Sequence, residues 1–272
     1  MPDLSVLLPL VALLMIIGAI AGILAGLLGV GGGMVLVPAF FYTFGALGYD
    51  SPQLMQICLG TSLATIIVTS LRSLYAHNKK GAVNWDILRG WGAWIAFGAL
   101  LGMTVVLQLR SDVLQVLFGA IGMAIGLYIM FGRADRVVGS VMPKGLIRAV
   151  CAPMIGVLSV LMGIGGGAFG VPLMTLFGVP IHRAVATASG FGVIIAVPSV
   201  VGFLFADIDA APPFTIGAIN LGGFAVVVCM TLITTPWGAA LAHRTDPKPL
   251  KRGFGVFLIL VGLNMLRKVY FG

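Results

Sequence analysis

Two glycine-rich runs within apolar sequence are the segments of this chain best suited to bind a small solute. Residues 29–33 (GVGGG) are followed by Pro38, and residues 163–167 (GIGGG) are followed at the same spacing by Pro172. Glycine interrupts helices because it has no side chain and little conformational preference. A helix that starts again after such a run exposes backbone N–H groups and carries about half a positive charge, which suits an anion.

The predicted anion cradle consists of the glycines that end each run. They are Gly31, Gly32, Gly33, Gly165, Gly166 and Gly167. Its chemistry is hydrogen bonding from backbone amides, because glycine lets a solute approach the chain closely. The alternative interpretation is close helix packing, as in membrane interfaces built from small residues. Two runs at equivalent positions favour a binding site.

Polar residues also stand near the starts of two apolar segments, 54–74 and 184–205. These candidates for substrate binding are Gln56, Thr61, Ser62, Arg183, Thr187 and Ser189. An alignment of the two segments pairs Gln56 with Arg183 and Ser62 with Ser189. Arg183 would hold an anion bidentately, Gln56 would donate from the other segment, and the hydroxyl groups would add donors. Alternatively, Arg183 is a loop charge, Gln56 merely starts a helix, and the hydroxyl groups bond to their own helices.

Groups for enzymatic or metal chemistry are missing from the sequence. The chain has no Glu, and its eight acids are Asp residues in predicted loops or helix ends, so no carboxylate is placed for an intramembrane cation site. The three His and three Cys residues lack metal-ligand spacing. We therefore predict no enzyme activity, no metal and no cofactor. An anionic solute is favoured.

Two asparagines, two histidines and the three cysteines are predicted to have structural roles or to lie in solvent, and not to bind substrate. Asn84 and Asn220 are predicted to cap the helices that they start. His77 and His243 are predicted to be solvated in loops. The three cysteines are predicted to be buried thiols without a disulfide framework.

The composition places the chain in a lipid bilayer. Sixty per cent of the residues are hydrophobic, only 9% are charged, and the mean hydropathy is +1.13. A soluble domain of 272 residues needs more charge to cover its surface. The net charge of +8 does not indicate nucleic acid, because the basic residues lie in short loops between apolar segments. The sequence leaves open whether the protein forms a homo-oligomer.

The apolar segments indicate an all-α, polytopic membrane protein with an internal repeat. Residues 1–140 and 141–272 each contain five segments. They lie at about 5–28, 34–47, 54–74, 85–108 and 113–132, and at about 146–162, 168–179, 184–205, 220–242 and 251–270. Five is an odd number, so the second half is predicted to enter the membrane from the opposite side as an inverted repeat.

Two segments are too short for a full crossing, which takes about 20 helical residues. The segments 34–47 and 168–179 directly follow the glycine runs. We predict that they are short, interrupted helices that begin inside the membrane.

Charge predicts the orientation in a bacterial inner membrane. In a ten-segment topology one side of the membrane carries 13 of the 16 Lys and Arg residues and three Asp residues. The other side carries the remaining three Lys and Arg residues and five Asp residues. The strongly basic side is predicted to be cytoplasmic, which places both termini outside.

At the glycine runs the chain resembles the TauE/SafE family of sulfite and organosulfonate exporters. The resemblance rests on residues 26–33 with Pro38, on residues 163–167 with Pro172, and on three further segments, 60–62, 81–85 and 184–189. It covers nearly the whole chain. The resemblance implies export of a small sulfur-containing anion, such as sulfite, sulfoacetate or a related sulfonate.

The predicted mechanism is alternating access between the two halves around an anion site near the membrane midplane. Two alternatives remain open at this point. The first is an importer of another small anion or organic acid. The second is a membrane assembly partner without transport activity, in which the glycine runs would only pack helices.

Overall fold

The computed structural model describes residues 4–29, 31–49, 51–131, 137–242 and 248–271. These residues form ten α-helices and one short antiparallel hairpin. The helices are α1 Leu4–Leu28, α2 Gly33–Ala46, α3 Leu54–Asn78, α4 Trp85–Gln108, α5 Ser111–Phe131, α6 Gly145–Leu161, α7 Gly167–Leu176, α8 Ile181–Leu204, α9 Leu221–Leu241 and α10 Lys248–Phe271; the hairpin strands are β1 Thr215–Ile216 and β2 Ile219–Asn220. The predicted all-α, polytopic membrane fold is confirmed.

Seven of these helices are long and apolar enough to cross a membrane, namely α1, α3, α4, α5, α8, α9 and α10. The shorter ones are α2 with 14 residues, α6 with 17 and α7 with 10. The two short helices predicted after the glycine runs are therefore confirmed as α2 and α7. At 1.5 Å per residue, α7 spans only about 15 Å.

Helix packing follows one pattern in both halves. Helix α1 packs along α9 and α4 packs along α6, whereas α3 packs against α8 and α5 against α10. Each helix of the first half has a counterpart five helices later, so that α1 corresponds to α6 and α4 to α9. When every helix is replaced by its counterpart, the same four pairs result. The inverted repeat, with halves at 1–140 and 141–272, remains a prediction that this pattern fits.

The paired helices α5 and α10 cross antiparallel at glycines. A Cβ added at Gly119 would lie 2.9 Å from the carbonyl oxygen of Gly262, and one added at Gly126 would lie 2.7 Å from that of Gly255. The residue numbers of the contacts fall along α10 as they rise along α5, so the two helices are antiparallel. Such close backbone approach is the usual way in which membrane helices pack.

The loops gather at two ends of the helix bundle. One end, which we call the basic end, contains residues 79–84, 137–144 and 177–183. It is held by hydrogen bonds from the Asn84 N–H to Thr187 Oγ1 (2.9 Å) and from the Val138 N–H to the Leu176 oxygen (2.7 Å).

The opposite end contains residues 47–49, 51–53, 109–110 and 205–220. Here Ser51 Oγ donates to the Asp209 oxygen at 2.8 Å. Arg110 and Asp112 form an ion pair at 3.2 Å at this end. The loops are therefore grouped as a ten-segment topology requires, although residues used to predict orientation (Asp3, Asp50, Arg133, Asp135, Arg136, Arg244 and Asp246) lie outside the described residues. The cytoplasmic location of the basic end remains a prediction.

Two minor predictions were wrong. His77 is buried in α3, with Nε2 3.0 Å from the Gly26 oxygen, because α3 continues past the predicted end of its segment and packs against α1. His243 lies outside the described residues. Among the cysteines, Cys58 is buried, but Cys151 is half-buried and Cys229 is exposed on the helix bundle.

Candidate functional site

Both glycine runs interrupt a helix, and backbone conformation explains why glycine is required. Helix α1 ends at Leu28 and α2 begins at Gly33, while α6 ends at Leu161 and α7 begins at Gly167. The first run has left-handed backbone at Gly29, Gly31 and Gly32, with φ of 69°, 72° and 78°, and the second at Gly163, with φ of 59°. Side chains other than that of glycine are strained in this region.

The two interruptions meet in the interior of the protein. All six candidate glycines are buried. A Cβ added at Gly33 would collide with the carbonyl oxygen of Gly163 and lie 2.9 Å from Ile164 Cα, and a Cβ added at Gly31 would lie 3.4 Å from the Gly165 nitrogen. The glycine runs therefore pack against each other rather than against lipid.

In the described part of the chain, several backbone N–H groups of the second run have no hydrogen-bond acceptor. The Gly167 N–H donates to the Gly165 oxygen, and the Gly170 N–H donates to the Gly166 oxygen at 2.7 Å. No described residue accepts a hydrogen bond from four other N–H groups at this helix start, those of Gly165, Gly166, Ala168 and Phe169. Buried N–H groups are rarely left without an acceptor. This helix start is therefore able to receive an anion.

Two threonines connect each half to the helix start of the other half. Thr61 Oγ1 accepts from the Asn220 N–H at 2.9 Å, and Thr187 Oγ1 accepts from the Asn84 N–H at 2.9 Å. The asparagine side chains cap α9 and α4 as predicted, through hydrogen bonds to the N–H groups of Gly223 (2.8 Å) and Ile87 (3.2 Å). Thr61 and Thr187 thus occupy equivalent positions.

Because Thr61 and Thr187 are equivalent, the alignment of the two segments differs by one residue from the predicted alignment. The serines make unlike contacts, because Ser62 Oγ donates to the Gly163 oxygen at 2.8 Å, whereas Ser189 Oγ donates to the Val185 oxygen at 3.2 Å. The pairing of Ser62 with Ser189 was therefore wrong. Runs of small polar residues align equally well at neighbouring offsets, and only the hydrogen-bond partners distinguish them.

The predicted shared clamp of Gln56 and Arg183 is also wrong. Helices α3 and α8 run antiparallel, with the hydroxyl groups of Ser73 and Ser189 2.9 Å apart and Ser70 next to Gly192. Both clamp residues lie in the first turn of their helices, so they stand at opposite ends of a pair about 36 Å long. Gln56 is buried and its Nε2 donates to the Leu109 oxygen at 2.6 Å.

Arg183 instead lines a cavity at the basic end. The cavity has a volume of about 360 Å³ and lies between α4, α6, α8, the end of α7 and residues 140–144. Lys144 and Arg148 line it as well, together with a single acid, Asp86. In the sequence Arg148 is one of the 13 basic residues on the predicted cytoplasmic side, and no motif marks it, because the cavity is formed by segments distant in sequence.

Removing the threonine acceptors is expected to destabilise the protein. Thr61→Val leaves the N–H of the buried Asn220 without its acceptor, which costs about 1–3 kcal/mol, and Thr187→Val does the same to the half-buried Asn84, with a cost toward the lower end of that range. The matched control is Thr65→Val, because the buried Thr65 hydroxyl donates only to the Thr61 oxygen of its own helix. Thermal unfolding in detergent measures the difference. An equal loss in all three variants would contradict this role.

A polytopic helical protein in which two glycine-interrupted helices meet inside the bundle has the architecture of a membrane transporter. Comparison with known proteins agrees, since the family model described as sulfite exporter TauE/SafE matches residues 14–265. The chain belongs to this family, and it is a multi-pass membrane transporter.

Curated relatives support the same class. A probable membrane transporter protein of Haemophilus influenzae is 28% identical over 95% of this chain and 98% of its own length. Proteins described in the same words from Methanocaldococcus jannaschii and Bacillus subtilis (YunE) are each 28% identical, over 94% and 93% of this chain and 96% of their own lengths. These names state transport without stating a substrate.

Proposed function

We propose that the protein exports a small sulfur-containing anion, such as sulfite, sulfoacetate or a related sulfonate, by alternating access. The observation that supports this most is the contact between the two buried glycine runs, with N–H donors at the start of α7 for which no described residue is an acceptor. Backbone amides at a helix start replace the water around an oxyanion without requiring a counter-charge. Membership of a family described as sulfite exporters supports a sulfur-containing anion as the substrate.

In this mechanism the glycine N–H groups bind the anion, and the hydroxyl groups position the helices around it. Thr61 and Thr187 link the halves, and Ser62 holds the second glycine run through the Gly163 oxygen. Movement of one half relative to the other would expose the glycine runs to each side in turn. The remaining candidates, Gln56, Arg183 and Ser189, would act along the path to this central site.

The positions of the acidic residues favour a carrier of anions over a carrier of cations. The sequence has no Glu, and the described acids, Asp86, Asp112, Asp207 and Asp209, lie in loops or first helical turns. We place the protein in a bacterial inner membrane with the basic end in the cytoplasm, in keeping with the positive-inside rule. An inside-negative potential then assists the exit of an anion.

Flux in proteoliposomes tests the proposal. We expect the purified protein to release preloaded sulfite or sulfoacetate, and to release lactate at least about tenfold more slowly, which corresponds to about 1.4 kcal/mol of discrimination. Liposomes without protein provide the control. Preferential flux of lactate would favour a carrier of organic acids, and absence of flux for every anion would favour the assembly partner.

A further inference from the structure

The cavity at the basic end is surrounded by the starts of three helices. Its wall contains Asn84, Lys144 and Pro180, the residues that immediately precede α4, α6 and α8. Each helix start contributes a partial positive charge and N–H groups without helical acceptors. Among the described helices only α7 ends at this wall, with its last residue Leu176 just before Phe177, so positive helix ends outnumber negative ones three to one there.

Three basic side chains add full charges to the same wall. Lys144, Arg148 and Arg183 line the cavity, and Asp86 is the one acid among the described residues of its wall. Among the described residues the one ion pair joins Arg110 and Asp112 at the opposite end, so Asp86 neutralises none of the three cations at close range. The described residues of the wall therefore carry an excess of two positive charges, in addition to the helix ends.

Arg148 is the least exposed of the three basic residues in this wall. It is half-buried, and its Nε, shielded from solvent, has no hydrogen-bond partner among the described residues. The guanidinium lies against α4, where a Cβ added at Gly90 would be 3.5 Å from Arg148 Nη1. Because the side chain lines the cavity, the guanidinium can donate charge-assisted hydrogen bonds to an anionic oxygen placed there.

We propose that this cavity is a capture site for small sulfonates or related oxyanions, which holds the anion before it reaches the glycine runs. The proposal rests on the proposed export function and adds Arg148 and Lys144 to its residues. Helix α7 connects the two places, because the second glycine run lies at its start and Phe177 and Gly178 of the cavity wall lie at its end. The capture site is thus about 15 Å from the glycines, one short helix away. Its volume of about 360 Å³ is sufficient for an organic sulfonate with some water.

Thiol labelling tests the capture site without depending on transport. Ser140 is exposed and lines the cavity, so Ser140→Cys introduces a reporter thiol. In nanodiscs, we compare its reaction rate with an anionic reagent, 2-sulfonatoethyl methanethiosulfonate, and with a cationic one, 2-(trimethylammonio)ethyl methanethiosulfonate. We expect Arg148→Gln to lower the ratio of anionic to cationic rate about fivefold, because the local potential becomes less positive. We also expect sulfoacetate to protect the thiol in the parent and not in Arg148→Gln.

Arg89→Gln is the matched control, because Arg89 is an exposed arginine of α4 that does not line the cavity. It should change the rate ratio less than twofold, since its charge stands outside the cavity wall and salt screens it from the thiol. Arg183→Gln serves as a second cavity variant if Arg148→Gln does not fold. An unchanged ratio in both cavity variants, or no protection by sulfoacetate in the parent, would overturn the capture site.

The two proposals fail in different ways. Sulfonate flux without protection of the thiol would leave the export function in place and remove the capture site. Protection without flux of any anion would keep the cavity as an anion site and remove export. Flux and protection that both weaken in Arg148→Gln, while Arg89→Gln is unaffected, would support both proposals.

Discussion

Gly33→Ala is expected to abolish anion flux. The added methyl group would collide with the Gly163 carbonyl oxygen and lie 2.9 Å from Ile164 Cα, and both are backbone atoms that cannot rotate away. The two glycine runs would have to separate, which costs about 1–3 kcal/mol as overpacking and displaces the donors at the centre. Sulfoacetate flux in proteoliposomes, measured alongside thermal unfolding, gives both effects.

The control for this substitution is Gly122→Ala in α5. Gly122 is also a buried helical glycine, but the nearest atom to an added Cβ is Met162 Cε at 3.8 Å, an ordinary contact. This variant should transport normally and be at least as stable, because alanine favours a helix over glycine by about 1 kcal/mol. Normal flux through Gly33→Ala would show that the contact between the glycine runs is not needed for transport.

A membrane potential is expected to drive strong accumulation of a monovalent sulfonate. Export without a coupling ion moves one negative charge, which is worth about 2.3 kcal/mol for 100 mV. At equilibrium this corresponds to about a 50-fold concentration ratio, since 1.4 kcal/mol is tenfold. Isethionate distribution across proteoliposomes, with the potential set by a potassium gradient and valinomycin, measures the ratio.

We expect accumulation to depend on the membrane potential because of where the acidic residues of the chain lie. The described Asp residues lie in loops or first helical turns, so none is placed to carry a coupling proton through the bundle. Collapsing the potential with equal potassium on both sides is the control and should reduce the ratio to about one. A distribution that ignores the potential and follows a proton gradient would instead show electroneutral coupling.

Several features were predictable because they depend on local chemistry. The GVGGG run predicts backbone with positive φ, since residues other than glycine are strained in that conformation. The caps at Asn84 and Asn220 follow from a side-chain oxygen that can reach an N–H three residues on. The short helices α2 and α7 followed from the length of apolar sequence alone.

Other features depend on contacts between distant segments and could not be read from the chain. The one-residue register shift became visible only through the hydrogen bonds of Thr61 and Thr187. Gln56 and Arg183 look like partners in an alignment, but antiparallel packing of α3 and α8 separates them. Arg148 has no motif, because its cavity is built from four helices and a loop.

The sequence by itself determined that this is a polytopic helical membrane protein with two interrupted helices, because apolar length and glycine backbone preference act within a few residues. Only the tertiary structure decided that the two interruptions touch each other and that Arg148 and Arg183 face a common cavity. Those arrangements result from how helices pack, and packing is set by the shapes of many side chains at once.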